Sequence, residues 1–237
     1  MIRIYSLFFW IIYAIITIIL GALIFIFSFF CDDRFLHKIG KLWGKLALII
    51  TFTEVNYQEI SEFEKNDSYI IMPNHQSAFD IFSLFAYLPV EFRWVSKKEN
   101  FKIPVVGQAM KVMNEISVDR GNIKDLKSTI NSMKKCLERG ISVLIFPEGT
   151  RSIDGNLLPF KKGGFFLALS SGKKILPVAI WGTKNINKRG SLLVTPFQRI
   201  TILIGEPVNF EKQGKIEEKM EKFREILQSL IEKAKTT

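Results

Sequence analysis

Residues 68–80 read Ser-Tyr-Ile-Ile-Met-Pro-Asn-His-Gln-Ser-Ala-Phe-Asp, and residues 142–152 read Ser-Val-Leu-Ile-Phe-Pro-Glu-Gly-Thr-Arg-Ser. Each opens as a short β-rich run, meets a proline and ends in polar, turn-forming residues. A buried strand feeding a polar turn and then a helix is the repeating unit of an open parallel sheet. Working outward, β-rich runs at Tyr69–Met72, Phe92–Ser96, Ile116–Val118, Ser142–Phe146, Ile175–Ile180 and Arg199–Ile204 alternate with helical patterns at Ala78–Tyr87, Ile123–Glu138 and Gly164–Ser171. The fold class that follows is α/β, a mostly parallel central sheet covered by helices. Ile216, Met220, Phe223, Leu227, Leu230 and Ala234 recur at three or four residues and predict a closing amphipathic helix. Neither an internal repeat nor a Pro/Gly/Ser linker interrupts residues 53–237, so they form one domain.

The N-terminus has a different character. Ile4 to Cys31 is a run of 28 residues without charge, followed by Asp32, Asp33 and Arg34. That exceeds the roughly 20 apolar residues that cross a bilayer. It is too long for a secretory signal and lacks a small-residue cleavage site before Asp32. The next stretch, Phe35–Phe52, sets Lys38, Lys41 and Lys45 among Leu, Ile and Trp43, a composition suited to a membrane interface with ammonium groups at lipid phosphates. Residues 1–52 therefore read as a two-helix membrane-anchoring module, with residues 53–237 as the α/β domain. The first helix is compatible with spanning or with a re-entrant hairpin, and the Lys cluster after it places the domain on the cytoplasmic face.

With 48% hydrophobic and 24% charged residues among 237, intrinsic disorder and low-complexity scaffolds are excluded. The net charge is +10; residues 1–52 carry five Lys and Arg against two Asp, so residues 53–237 hold +7. A basic domain beside a membrane anchor suits lipid phosphate. No zinc-finger, RNP or basic-zipper pattern accompanies the charge, which argues against nucleic acid. Cys31 and Cys136 have no metal-ligand spacing, and with only His37 and His75 for imidazole no metal site is expected.

His75 is the one histidine beyond the N-terminal module, and it falls where the carboxyl end of a parallel strand opens a ligand crevice. A neutral imidazole can take a hydroxyl proton near pH 7 if a partner fixes its tautomer. Asp80 can be that partner, from the first turn of the helix, if His75 lies in the loop. Ser77-x-x-Asp80 also fits a helix cap, and both readings stand at this level. In the second turn, Gly149 allows close approach of backbone N–H groups to an anion, and Arg151 offers a planar fork for phosphate. A surface turn with a solvated Arg is the plainer alternative.

Asn74-His75-(x4)-Asp80, Ile116-Ser117-Val118-Asp119-Arg120, Phe146-Pro147-Glu148-Gly149-Thr150-Arg151-Ser152 and Ile175-Leu176-Pro177-Val178 together resemble the sequence blocks of the glycerolipid acyltransferases, most narrowly the 1-acyl-sn-glycerol-3-phosphate acyltransferases. The resemblance runs from Asn74 to about Ile180. It implies transfer of a fatty acyl group from acyl-CoA or acyl-carrier protein to the 2-hydroxyl of lysophosphatidate, giving phosphatidate, with no further cofactor and with membrane phospholipid as the surrounding partner. By the same resemblance His75 is the base and Asp80 its orienting carboxylate. Arg151 and Arg120, with Glu148, form the site for the acceptor's phosphate; the Gly149 N–H and Lys97 stabilise the oxyanion; and Asn74 holds the loop. Pro177 is associated with the donor, or is simply an edge or terminal strand proline. The nucleophile belongs to the substrate, in keeping with the lack of a Gly-x-Ser-x-Gly elbow; Ala168-x-Ser170-x-Gly172 comes near but lies in a helical pattern. The alternatives are the same transfer to glycerol 3-phosphate or another lysolipid, or a non-catalytic basic protein tethered to anionic lipid.

Overall fold

The computed structural model describes residues 1–119 and 123–237. Two helices open the chain, α1 (Ile2–Phe27) and α2 (Asp33–Ile50), followed by β1 (Glu54–Glu59), β2 (Ile70–Pro73), α3 (Phe79–Tyr87) and β3 (Phe92–Lys97). After a 3-10 turn at Lys98–Lys102 come α4 (Val106–Val112), β4 (Ile116–Val118), α5 (Ile123–Glu138), β5 (Ser142–Leu144), α6 (Gly163–Ser171), β6 (Ile175–Trp181), α7 (Thr183–Ile186), β7 (Arg199–Ile204) and α8 (Ile216–Thr236). The seven strands form one sheet in the order β1-β7-β6-β2-β5-β3-β4. All neighbours are parallel except the antiparallel pair β6–β7.

Side chains alternate across the strands as the pleat requires. Ile70, Met72 and Val143 face one layer with Phe165, Phe223 and Leu227 of α6 and α8. Ile71, Leu144 and Leu176 face the other, with Leu36 of α2 and Phe85 of α3. Sequence pattern misses β1, whose Glu-Val-Asn-Tyr-Gln-Glu is polar at both ends and only partly buried. As an edge strand it needs one sheet neighbour, β7, and little apolar surface. Pro177, weighed as an edge or terminal residue, lies inside β6 opposite Met72, and its carbonyl accepts from the Gly205 N–H at 2.9 Å.

The N-terminal helices pack on the α/β body. Gly44 lets α2 approach α3 so closely that a Cβ there would sit 2.4 Å from the Phe82 carbonyl oxygen. Gly21 similarly admits Val105, and Phe9 and Tyr13 of α1 stack among Phe79 and Phe82. Asp32 caps α2 through the Phe35 N–H at 2.9 Å. Asp33 is buried against Arg93 and Arg139, at 3.0 and 2.7 Å. Lys41, expected with its ammonium at lipid phosphate, turns inward and donates to the Leu88 carbonyl at 2.8 Å, because its position on α2 faces the end of α3.

Gly44→Ala should destabilise the chain by about 2–4 kcal/mol, an overpacking cost with backbone as the obstacle. Denaturant unfolding in detergent measures it, and a loss below about 0.5 kcal/mol would mean that α2 can move away freely.

Candidate active site

The carboxyl ends of β6, β2, β5 and β3 stand side by side, and each is followed by a polar segment. After β2, Asn74 is buried and pinned to β6: its Nδ2 donates to the Ile180 carbonyl at 2.9 Å, and its Oδ1 accepts from the Ile180 N–H at 2.7 Å. The peptide of His75 is clamped from the other side. Its N–H donates to Glu148 Oε1 at 2.8 Å, and its carbonyl accepts from the Ser152 N–H at 2.7 Å. Two turns from separate strands thus fix one residue.

The imidazole Nδ1 lies 2.7 Å from Asp80 Oδ2, with Asp80 in the first turn of α3. Asp80 has no solvent exposure, so its charge must be met internally. Oδ2 also accepts from the N–H groups of Gln76 and Ser77, at 2.6 and 2.9 Å, and Oδ1 accepts from the Thr183 hydroxyl at 2.5 Å. Both readings of Ser77-x-x-Asp80 are therefore realised: the carboxylate binds turn amides and also meets the ring. An acceptor-only carboxylate assigns the proton to Nδ1, leaving the Nε2 lone pair unblocked. The ring stacks on Phe146 with centroids 3.8 Å apart, and its side chain is 12% exposed on a cleft.

Lys97, Ser96, Asn100, Thr150, Arg151 and Arg189 line the rest of that cleft. The Arg189 guanidinium donates to the Arg151 backbone carbonyl at 2.6 Å, which ties the two cationic residues of the cleft to each other. Lys98, adjacent to Lys97, instead reaches Asp119 at 3.5 Å. Arg120 lies outside the described residues. Beyond Ala78, Ile81 and Trp94 the cleft adjoins an apolar hollow against α1 and α4. That hollow in turn borders a smaller, partly open apolar chamber of about 70 Å³ walled by Gly21, Gly40, Met113 and Glu115. Burial pushes the Glu115 carboxyl up to about 8, so the chamber's one acidic wall residue is largely neutral at pH 7.

Two expectations need correction. Glu148 does not face the phosphate side of the cleft: it is buried, with one oxygen on the His75 N–H and the other on the Leu158 N–H at 2.9 Å. Its geometry is that of a brace between two loops. The Gly149 N–H donates to the Phe146 carbonyl at 3.0 Å, closing the turn at a φ of 71°, so it is committed and does not offer itself to an oxyanion. Thr183 and Arg189 are additions that motif reading did not find. Both follow β6 in a segment without a block of its own; only the turn residue Gly182, at φ 92°, marks the place.

Residues 54–181 match the family model described as acyltransferase. This chain belongs to the acyltransferase family. It is 33% identical over 171 residues to a 1-acyl-sn-glycerol-3-phosphate acyltransferase of Helicobacter pylori, covering 71% of each chain. It is 34% identical over 183 residues to the chloroplastic LPAT1 of Arabidopsis thaliana, named likewise, covering 76% of this acyltransferase and 50% of that protein. The chain thus spans about half the length of that plant relative. The crystal structure of PlsC from Thermotoga maritima, a 1-acyl-sn-glycerophosphate acyltransferase, superposes with a TM-score of 0.86 at 27% identity, covering 100% of this chain and 97% of that one.

Burial pushes the Glu148 carboxyl up to about 7, above its usual 4.5, even though the Leu158 and His75 N–H groups pull it down. The folded chain therefore holds a proton that the unfolded chain releases, and this group's contribution to stability is full below pH 4.5 and is lost as pH rises through about 7. Glu148→Gln should flatten that part of the Tm–pH curve between pH 5 and 8. An unchanged slope would remove the titration from this site.

Proposed function

We propose that this acyltransferase moves a fatty acyl group from an acyl-CoA or acyl-carrier-protein thioester to the 2-hydroxyl of lysophosphatidate, giving phosphatidate. The observation that carries the reading is a cleft lined by His75, whose Nδ1 is held by Asp80, and by Arg151 and Arg189, with an apolar cavity beyond it. That combination suits an acceptor with an anionic head and a donor with a hydrocarbon tail.

In this mechanism Nε2 draws the proton from the acceptor hydroxyl as the oxygen attacks the thioester carbonyl, and Asp80 holds the resulting imidazolium. The tetrahedral oxyanion is met by Lys97, which lines the cleft. Collapse breaks the carbon–sulfur bond, and the departing thiolate takes the proton back from His75. Arg151 and Arg189 bind the acceptor phosphate, with Arg120 a further candidate on the sequence resemblance alone. Asn74, Glu148 and Thr183 act as positioning groups. The acyl chain enters the hollow, and the small chamber beyond it receives the chain's end and so bears on the length that fits. No cofactor beyond the acyl carrier takes part.

The same reading places the protein at a membrane. The described residues include one helix, α1, long and apolar enough to cross a bilayer by length and composition. One face of α1, with Phe9, Tyr13, Leu20 and Ile24, packs inward, while Ile4, Leu7, Ile11, Ile15 and Ile18 are exposed. A helix packed along its length with one apolar stripe outward suits an interfacial position better than a free-standing span. Residues 1–52 then serve as the anchor of the 53–237 domain, on the cytoplasmic face.

Purified chain offered acyl-CoA or acyl-carrier-protein donors against lysophosphatidate, glycerol 3-phosphate and lysophosphatidylcholine should transfer to lysophosphatidate. His75→Ala should cost at least about 100-fold in kcat with the fold retained, and Arg151→Ala should chiefly raise KM for lysophosphatidate. Transfer at native rates by His75→Ala sinks the mechanism. Filling the chamber with Ala109→Leu should shift preference to shorter acyl chains; an unaltered chain-length profile removes the chamber from donor binding.

A further inference from the structure

Phe52 and Phe197 stand 61% and 73% exposed, with rings stacked 4.9 Å apart, and both hold left-handed backbone, at φ 49° and 57°. Phe52 follows Thr51, the C-cap of α2, and Phe197 follows Pro196 in the turn before β7; at such positions chains ordinarily place Gly or Asn. A bulky side chain there costs folding free energy, and an exposed aromatic pair gains little from water in return. Leu192, 77% exposed, and Leu193 continue the apolar surface.

The segment is rigidly held. The Phe197 N–H donates to the Thr51 carbonyl at 2.9 Å, and the Asn187 side-chain amide donates to the carbonyls of Ser191 and Leu193, at 2.8 and 2.9 Å. It is also joined to α1: Trp10 Nε1 donates to the Leu192 carbonyl at 2.7 Å, and the Val194 N–H donates to the Ser6 hydroxyl at 2.8 Å. Tyr5 donates to the Ile50 carbonyl at 2.7 Å, so the start of α1, the end of α2 and residues 187–197 meet in one apolar surface.

We propose that Leu192, Leu193, Phe197 and Phe52 form a second membrane-inserting surface, supplied by the α/β domain itself, which enters the bilayer beside α1. The occupant is lipid because the patch is joined to the start of α1, whose outward stripe is apolar, and is accompanied in sequence by the exposed cations Arg3 and Lys188, which suit lipid phosphates. The same segment reaches the catalytic cleft: the Asn187 carbonyl accepts from Ser77 at 2.7 Å, and Arg189 donates to the Arg151 carbonyl. Insertion of this loop would therefore fix the height and tilt of the cleft relative to the headgroups. The inference rests on the membrane reading of α1 but not on acyl transfer.

The test uses the full chain with Cys31→Ser and one environment-sensitive fluorophore, attached through Leu192→Cys, Ile15→Cys or Gln213→Cys, in vesicles of phosphatidylethanolamine with a minority of phosphatidylglycerol. The labels at 192 and 15 should shift to the blue and show several-fold weaker iodide quenching than the label at 213. A label at 192 as quenchable as that at 213, with 15 protected, overturns this proposal alone; exposure at 15 as well overturns the membrane reading with it. Protection that tracks the protein-to-lipid ratio assigns the patch to a second copy of the chain and likewise overturns it. Phe197→Asn accommodates the positive φ, so its Tm should hold or rise while the label at 192 moves back toward its aqueous emission. A fall in Tm with the emission unmoved would assign the aromatic stack to folding.

Discussion

A carboxylate sealed from water is tolerated only where donors surround it, and the site of this acyltransferase is organised around one. Asp80 draws in the amides of Gln76 and Ser77, the Thr183 hydroxyl and the His75 ring. Those contacts bend residues 74–78 into the turn that starts α3, whose N-terminus adds its own favourable dipole. They also bind β6 to β2 beyond the sheet, since Thr183 belongs to the turn after β6. The ring's orientation, its tautomer and the spacing of the strand ends are thus consequences of one buried charge. Removing any single donor leaves that charge under-satisfied, and for this reason Thr183 matters although it lies on the far side of Asp80 from the ring.

Glu148 and Asn74 complete the frame by a different physical route. Each uses a side chain to satisfy backbone groups that strand pairing leaves over at the sheet's carboxyl edge. Asn74 substitutes for a strand neighbour to Ile180, and Glu148 accepts from two amides 83 residues apart in sequence, those of His75 and Leu158. Such groups carry no chemistry to the substrate. They reduce the freedom of the His75 loop, which is what a proton transfer over a short distance requires.

The alternation of apolar runs and polar turns made the α/β class, six of the seven strands and the His75–Asp80 pair readable from sequence, because buried parallel strands and strand-end turns leave local patterns. What escaped depends on contacts between remote segments. β1 is an edge strand with a polar pattern, and α4 follows the φ of +64° at Val105, a conformation that no β-branched residue advertises. Thr183 and Arg189 reach the site only because β6 pairs with β2. The commitments of Glu148 and of the Gly149 N–H were hidden for the same reason: residue type names a capability, and the three-dimensional partner decides whether it is already used. The apolar hollow is likewise a product of five separate segments meeting.

In the proposed reaction one chain must serve a water-borne donor and a lipid acceptor, and the packing of α1 and α2 on the body suits that task. A flexibly tethered anchor would leave the cleft at an arbitrary height above the bilayer. Here Asp33 of α2 is locked to Arg93, itself wholly buried in β3, and to Arg139 at the end of α5. Cutting such a buried pair on one side would leave a charge without a partner, a cost of about 3–5 kcal/mol. Anchor and sheet are therefore mechanically continuous from α2 through β3 to Lys97 at the cleft. The apolar hollow lies between α1 and α4, so in the proposed reaction the hydrocarbon of the donor would reach the cleft from the side on which α1 packs. On the same proposal Arg151 and Arg189, which line the cleft with His75, are where the acceptor's phosphate would be held.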